Sequence, residues 1–181
     1  MDTKSKILKE ALELFAKRGY ENASLDEIAK RVGISKPAIY YYFKSKKRLY
    51  NEVFRSFFEG FEIELSGDID KDLEDYIKRV FLLFKNKNLA KLFLRELSNG
   101  MENLEDETLK RVSFLLRTLS LILKDLANPF FIQTLIISSI LTYINTMELR
   151  EKVGGMVNVE SNFDLQKELK EIILKYVREH K

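Results

Sequence analysis

The chain has no cysteine and no tryptophan, two prolines, seven glycines and a single histidine. Without Cys there is no disulfide, no zinc site built on thiolates and no thiol nucleophile. The one histidine, His180, stands next to the last residue in a charged tail, a position prone to fraying. No glycine-rich phosphate loop and no metal-ligand spacing appears, and the many carboxylates fall on polar helix faces. No enzyme, cofactor or metal site is expected. The most apolar run, Phe130 to Ile144, is shorter than a bilayer span and carries Gln133, Ser138, Ser139 and Thr142, so it reads as a buried helix. The N-terminus lacks the charged-then-apolar layout of a signal peptide. With the missing cysteines, this fits a cytoplasmic protein. Strand alternation, internal repeats and low-complexity tracts are also missing.

What remains is a chain of 181 residues, 45% hydrophobic and 33% charged, enough for one or two small domains with a real core. Its net charge of +3 is unevenly placed. Residues 1–50 hold nine Lys and three Arg against six acidic residues, a net +6, and the remainder is net −3. A basic segment on an otherwise balanced chain is the electrostatic footprint of a nucleic-acid domain.

The basic segment contains Ser24 to Phe43, SLDEIAKRVGISKPAIYYYF, which reads as two short helices joined by a tight turn. Ser24 is a good N-cap, and Glu27 three residues on completes a capping box. Ile28, Ala29 and Val32 share one face. Gly33 sits where a helix closes on a left-handed residue. Ser35 can cap the second helix, and Pro37 fits a first turn that needs no backbone N–H. Ile39 and Phe43 can pack inward, which leaves Lys36, Pro37, Tyr40, Tyr41 and Lys44 outward. A basic, hydroxyl-rich second helix of this kind suits the DNA major groove.

The run Gly33-Ile34-Ser35-Lys36-Pro37-Ala38-Ile39-Tyr40-Tyr41-Tyr42-Phe43-Lys44-Ser45-Lys46 resembles the DNA-binding signature of the TetR family of bacterial repressors. So does the earlier Phe15-Ala16-Lys17-Arg18-Gly19-Tyr20. Two positions depart from the commonest pattern, with Pro37 where the family often has Gly and Tyr42 where it often has His. The resemblance implies a DNA-binding set of Ser24, Ser35, Lys36, Pro37, Tyr40, Tyr41, Tyr42 and Lys46. Ser24, Tyr40, Tyr42 and Lys46 match positions that touch phosphates. Lys36 and Tyr41 lie where side chains meet base edges.

Around this motif the pattern predicts an all-α protein. A first helix runs from Thr3 to Arg18 and stops at Gly19. Ser45 caps a fourth helix carrying Leu49 to Phe61, whose first turn, Lys46-Lys47-Arg48, opposes the helix dipole unless an anion sits there. After a polar break at Ser66–Lys71, helices are expected over about 70–85, 89–97, 105–126 and 129–152. A loop through Gly154-Gly155 follows, and Asp164 caps a last helix.

We divide the chain into a helix–turn–helix domain, 1–47, and a helical effector-binding and dimerisation domain, 48–181. The second resembles the TetR regulatory domain in helix number and order only. The resemblance implies a homodimer through the last two helices, with Ile173 and Tyr176 shared between subunits. It also implies a double-stranded palindromic DNA operator, and a hydrophobic small-molecule effector that releases it. Phe57, Phe58, Phe61, Phe81, Phe84, Phe93, Phe114 and Tyr143 are the candidate pocket. Arg95, Glu96 and Gln133 are further anchors, with Arg95-Glu96 also readable as an exposed ion pair. The alternative is an effector-independent helix–turn–helix DNA binder.

Overall fold

The computed structural model describes residues 2–179, so His180 lies outside the described residues. All regular structure among them is helical. The chain packs as two compact units. One is formed by the chain up to Gly60 together with Lys91–Val112, the other by Phe61–Ala90 together with the chain from Ser113 onward.

The first unit holds α1 (Thr3–Asn22), α2 (Leu25–Val32), α3 (Lys36–Phe43), α4 (Lys46–Phe58), the later part of α6 (Lys87–Ser98) and α7 (Asp106–Val112). Helix α1 buries Ile7, Ala11, Leu12, Leu14 and Phe15 and packs against α2 and α4. Its regular helical ladder breaks at Gly19, as expected. The chain kinks there with φ 78° and ψ 173° and continues to Asn22. A Cβ at position 19 would also lie 2.8 Å from the Arg95 guanidinium. That side chain is flexible and can yield, but the backbone cannot, because this region of φ/ψ space is close to glycine-only. Gly19→Ala should therefore cost about 1–3 kcal/mol of stability, read as a lower urea midpoint with an unchanged slope.

Helix α4 stops at Phe58, short of the expected Phe61. Glu59 is extended and Gly60 takes φ 75°, turning the chain away. Tyr50 anchors α4, with its ring 4.8 Å from Phe15 and 4.9 Å from Tyr20, centroid to centroid, both edge-on.

The second unit holds α5 (Ile69–Phe84), α8 (Phe114–Leu123), α9 (Pro129–Asn145), α10 (Met147–Val157) and α11 (Leu165–Glu179). Asp68, Asn128 and Asp164 cap α5, α9 and α11 through their carboxylate or amide oxygens. Burial works to raise the Asp72 carboxyl, but donors from Ser66 and Gly67 outweigh it and hold the group below the usual carboxylate range. Buried Tyr76 of α5 faces two acceptors, Leu115 O at 3.1 Å and the Gln133 amide at 2.5 Å. The hydroxyl carries one proton, so both contacts are satisfied when Gln133 turns its amide nitrogen toward the tyrosine oxygen.

Three expectations need correction here. The predicted 105–126 helix is two helices, α7 and α8, divided at Ser113. Ser113 keeps helical φ of −66°, but its ψ of −11° opens the hydrogen-bond ladder. No Gly or Pro marks the place, so periodicity ran straight through it. The predicted 129–152 helix bends by 72° between α9 and α10. The Thr146 hydroxyl and amide both bond Thr142 O, at 2.6 and 2.9 Å, and such back-bonding bends helices. Gly154 and Gly155 lie inside α10, which closes on Asn158 in the left-handed conformation. Gly154 is required because Val159 O would sit 2.6 Å from a Cβ there.

Helix α9 buries Ile132, Ile136, Ile137, Ile140, Leu141 and Ile144 on one side and exposes Phe130, Phe131, Thr134, Ser138 and Thr142 on the other. On α11, Ile173 is fully buried within its own chain, and the residue turned outward is Ile172. A charge at position 173 would disrupt this unit's own core, so the position does not probe a dimer. Among the described residues, no single helix is long and apolar enough to cross a membrane.

Candidate nucleic-acid interface

Helices α2 and α3 are set by their own sequence. The Ser24 hydroxyl accepts from Asp26 N at 3.2 Å, but the capping box does not close. Glu27 turns instead to Arg18 at 2.7 Å and Arg31 at 2.9 Å, because two guanidiniums outbid one backbone N–H for a carboxylate. Gly33 takes φ 77°, and the amides of Gly33 and Ile34 return to Ala29 O at 3.0 Å. Helix α3 opens at Lys36 with Pro37 in its first turn. Ser35 precedes it without a side-chain cap bond, contrary to expectation. Ala38 N bonds the Ser35 carbonyl instead, and Pro37 has no N–H to offer the hydroxyl.

Ile39 and Phe43 are buried and fix the rotation of α3. Its other side is open. Tyr41 is 84% exposed, Tyr40 44% and Tyr42 41%, and the Tyr41 and Tyr42 rings meet edge-on at 5.4 Å. Tyrosine rings this bare are unusual on a protein surface. Lys36 bonds Asp26 across the turn at 2.8 Å. That bond raises its pKa further, so it stays charged throughout the working pH range. Lys46 lies over the Tyr20 ring at 4.8 Å and donates to Glu21 O at 2.9 Å.

At the start of α4, the Ser45 hydroxyl accepts from Arg48 N at 3.0 Å, as expected. Lys4, Tyr42, Lys44, Arg48, Glu52 and Arg55 line a cleft of about 280 Å³ beside it. Lys4 is paired with Glu52 at 2.8 Å, and Arg48 with Glu105 at 2.9 Å. The interface therefore combines bare tyrosine rings with lysines and arginines lightly held by internal acceptors. Those acceptors can give way to a phosphate.

Sequence reasoning missed what holds α4 from behind. Asn51 is fully buried. Its amide nitrogen donates to Lys47 O at 2.9 Å and Asn103 O at 3.2 Å, and its oxygen accepts from Glu105 N at 2.8 Å. Glu96 is also fully buried, which corrects its reading as half of an exposed ion pair. One of its oxygens accepts from the Tyr50 hydroxyl at 2.5 Å and from Asn103 at 2.9 Å, while the other is buried without a hydrogen-bond partner. Burial, with Glu96 beside it, pushes the Tyr50 phenol far above its ordinary range, so it remains a donor. The available signal was a polar residue on the apolar stripe of α4, between Tyr50 and Val53.

The candidate pocket residues are distributed over both units. Phe57, Phe58 and Phe93 belong to the first, where Phe93 lies 6.0 Å from Phe58 and 6.5 Å from Phe54, centroid to centroid. Phe61, Phe81, Phe84, Phe114 and Tyr143 belong to the second, where Phe81 and Tyr143 lie 6.1 Å apart.

Residues 7–53 match the family model for bacterial regulatory proteins of the tetR family. The biofilm operon icaADBC HTH-type negative transcriptional regulator IcaR of Staphylococcus aureus is 33% identical over 85 residues, 47% of this chain and 37% of that protein. Its counterpart in Staphylococcus epidermidis is 36% identical over 58 residues, 32% of this chain and 31% of that protein. The chain thus spans only about a third of the length of these relatives. A HlyIIR mutant structure covers 94% of both chains with a TM-score of 0.69 at 20% identity. The transcriptional regulator FadR from Bacillus subtilis, in complex with stearoyl-CoA, covers 96% of both with a TM-score of 0.63 at 20% identity. At that identity the structures establish a shared fold and nothing more. The sequence matches fall on the α1–α4 segment whose bare tyrosines and capped turn are described above, and over that segment the chain is similar to the tetR family of bacterial regulatory proteins.

Proposed function

We propose that the chain is a cytoplasmic transcriptional repressor that binds a palindromic operator as a homodimer and is released by a largely apolar small molecule. The observation that carries this reading is the outer side of α3. Pro37, Tyr40, Tyr41 and Tyr42 stand open there, with half-exposed Lys36 beside them, while Ile39 and Phe43 lock the helix beneath. Residues 1–47 form the DNA-reading part and residues 48–181 the regulatory part. Two recognition helices of a dimer would enter major grooves about 34–36 Å apart. Phe81, Phe84, Phe114 and Tyr143 supply the aromatic surface for the effector in the second unit, in keeping with a mostly apolar site fixed by a few polar groups.

In the first unit, α4 carries the signal. Its start, at Ser45 to Arg48, faces the phosphates. Behind it, Asn51 and Tyr50 are bonded to the 96–105 segment. A shift of that segment moves α4 and with it the recognition helix. By linkage the operator weakens effector binding by the same factor as the reverse, typically about 5–150-fold.

Two variants separate positioning from reading. Lys46→Ala should weaken specific and non-specific DNA alike and lower the salt slope by about one per subunit. Lys36→Ala should cost about 1–3 kcal/mol on the preferred site and flatten the preference at one base pair of each half-site. Both are read by titrating operator and mutated operators over a range of salt, with helicity checked by circular dichroism. If Lys36→Ala shifts only the salt dependence, Lys36 is a phosphate contact and reading passes to Tyr41. If no apolar compound relieves operator binding, the protein is an effector-independent DNA binder.

A further inference from the structure

Tyr143 and Arg150 are seven residues apart, about 10 Å along the axis of a straight helix. The 72° bend between α9 and α10 falls between them, and Arg150 lies over the tyrosine. Its guanidinium is 3.8 Å from the Tyr143 ring centroid and 5.4 Å from that of Phe163. The two rings meet edge-on at 5.1 Å, and the Tyr143 hydroxyl donates to Phe163 O at 3.2 Å. Three residues from α9, α10 and the segment before α11 thus hold one another in place.

The charge of Arg150 is not used by this packing. Arg48, Arg79 and Arg178 each meet a carboxylate, at 2.9, 2.8 and 3.2 Å. Among the described residues no carboxylate pairs with Arg150, and its Nε–H is buried without a hydrogen-bond partner. Buried N–H groups are nearly always paired, so this one calls for an acceptor. The two rings and the arginine line a groove of about 390 Å³ with Ser138, Ser139, Thr142 and Thr146, a size ordinary for a small-molecule site.

We propose that this groove binds a small organic monocarboxylate whose body carries a hydroxyl or amine. The planar guanidinium, fixed by the rings, presents Nε–H and a terminal N–H side by side, the fork that a carboxylate matches with two parallel hydrogen bonds. Charge and hydroxyl chemistry select this ligand over a phosphate. Arg150 is the one charged residue among those that line the groove, which balances one negative charge and leaves a second unmatched. The Ser138 and Thr146 hydroxyls donate their protons to Thr134 O at 2.5 Å and Thr142 O at 2.6 Å. They offer the groove lone pairs, which suit a ligand's O–H or N–H and repel further anionic oxygens. Phe163, 49% exposed, supplies apolar surface for the body of the ligand. Of the aromatic residues assigned above to the effector, Tyr143 alone lines this groove, so the site does not depend on that reading.

The probe is para-hydroxyphenylacetate, titrated calorimetrically into the full chain at protein concentrations above and below the dimer dissociation constant. It should saturate one site per chain with a dissociation constant below about 1 mM. The neutral para-hydroxyphenylacetamide should bind about ten-fold more weakly, because the charge-assisted bonds are lost. Arg150→Lys keeps the charge and loses the fork, and should also weaken binding about ten-fold. Ser139→Leu leaves the arginine and both rings in place and fills the groove beside them. It should abolish binding with helicity unchanged, which guards against a loosened α10 in the arginine variant. Equal binding of acid and amide, or of Arg150→Lys and the parent chain, overturns the site. Inorganic phosphate that binds as tightly as the probe overturns the carboxylate assignment. Binding confined to the diluted monomer means that a second copy covers the groove and overturns it as a ligand site. Operator affinity is not part of this readout, so the effector reading can fail while the site stands.

Discussion

Ser138→Glu should reduce operator affinity by about 10²–10⁴-fold, the gain that linking two half-site binders provides. Ser138 is exposed in the single chain, on the side of α9 that also carries Phe130, Thr134 and Thr142. The hydroxyls of this stripe are already satisfied by the helix itself. Thr134 donates to Phe130 O at 2.7 Å and Ser138 to Thr134 O at 2.5 Å. Such a stripe can be buried against a second copy without orphaning a polar group, and its small side chains allow close helix approach. A glutamate at 138 keeps the single chain intact, because nothing covers the position there. In a dimer it would place two carboxylates in a dry seam, where unpaired charge is strongly disfavoured. The checks are sedimentation, operator titration and circular dichroism on the same preparation. A variant that remains dimeric with full operator affinity would move the dimer contact away from α9.

Asn51→Leu should destabilise the protein by about 2–4 kcal/mol, with two part-buried backbone groups, Glu105 N and Asn103 O, losing partners at about 1–3 kcal/mol each. The leucine has the same branching but is bulkier, so overpacking at this fully buried position adds to the lost hydrogen bonds. Glu105 N loses its acceptor, while Lys47 O and Asn103 O lose a donor. Lys47 lies in the first turn of α4, so the loss falls at the start of that helix. Urea unfolding followed by circular dichroism gives the stability change. Operator titration at low denaturant asks whether the surviving folded protein binds less well. Unchanged stability would mean that α4 is held by its apolar contacts and that the polar latch contributes nothing.

Local rules were enough to read the helix–turn–helix segment. Ser24, Gly33, Pro37 and Ser45 act through their own backbone neighbourhoods. Ile39 and Phe43 are four residues apart on one helix, so which side of α3 is buried, and hence that Tyr41 is bare, follows from the chain alone. The same local chemistry placed the starts of α5, α9 and α11 at or near Asp68, Asn128 and Asp164.

Tertiary structure decided whatever depended on a distant partner. Glu27 left its cap for Arg18 and Arg31. Asn51 and Glu96 turned inward because residues about 50 positions away supplied their donors and acceptors. Ser113 and Thr146 divided helices whose hydrophobic period runs on unbroken. On α11, Ile172 and Ile173 are neighbours of identical chemistry, one bare and one buried. Sequence periodicity marks an apolar stripe. Only the packing of α11 against α5 and α9 determines which edge of that stripe the chain covers and which it leaves exposed.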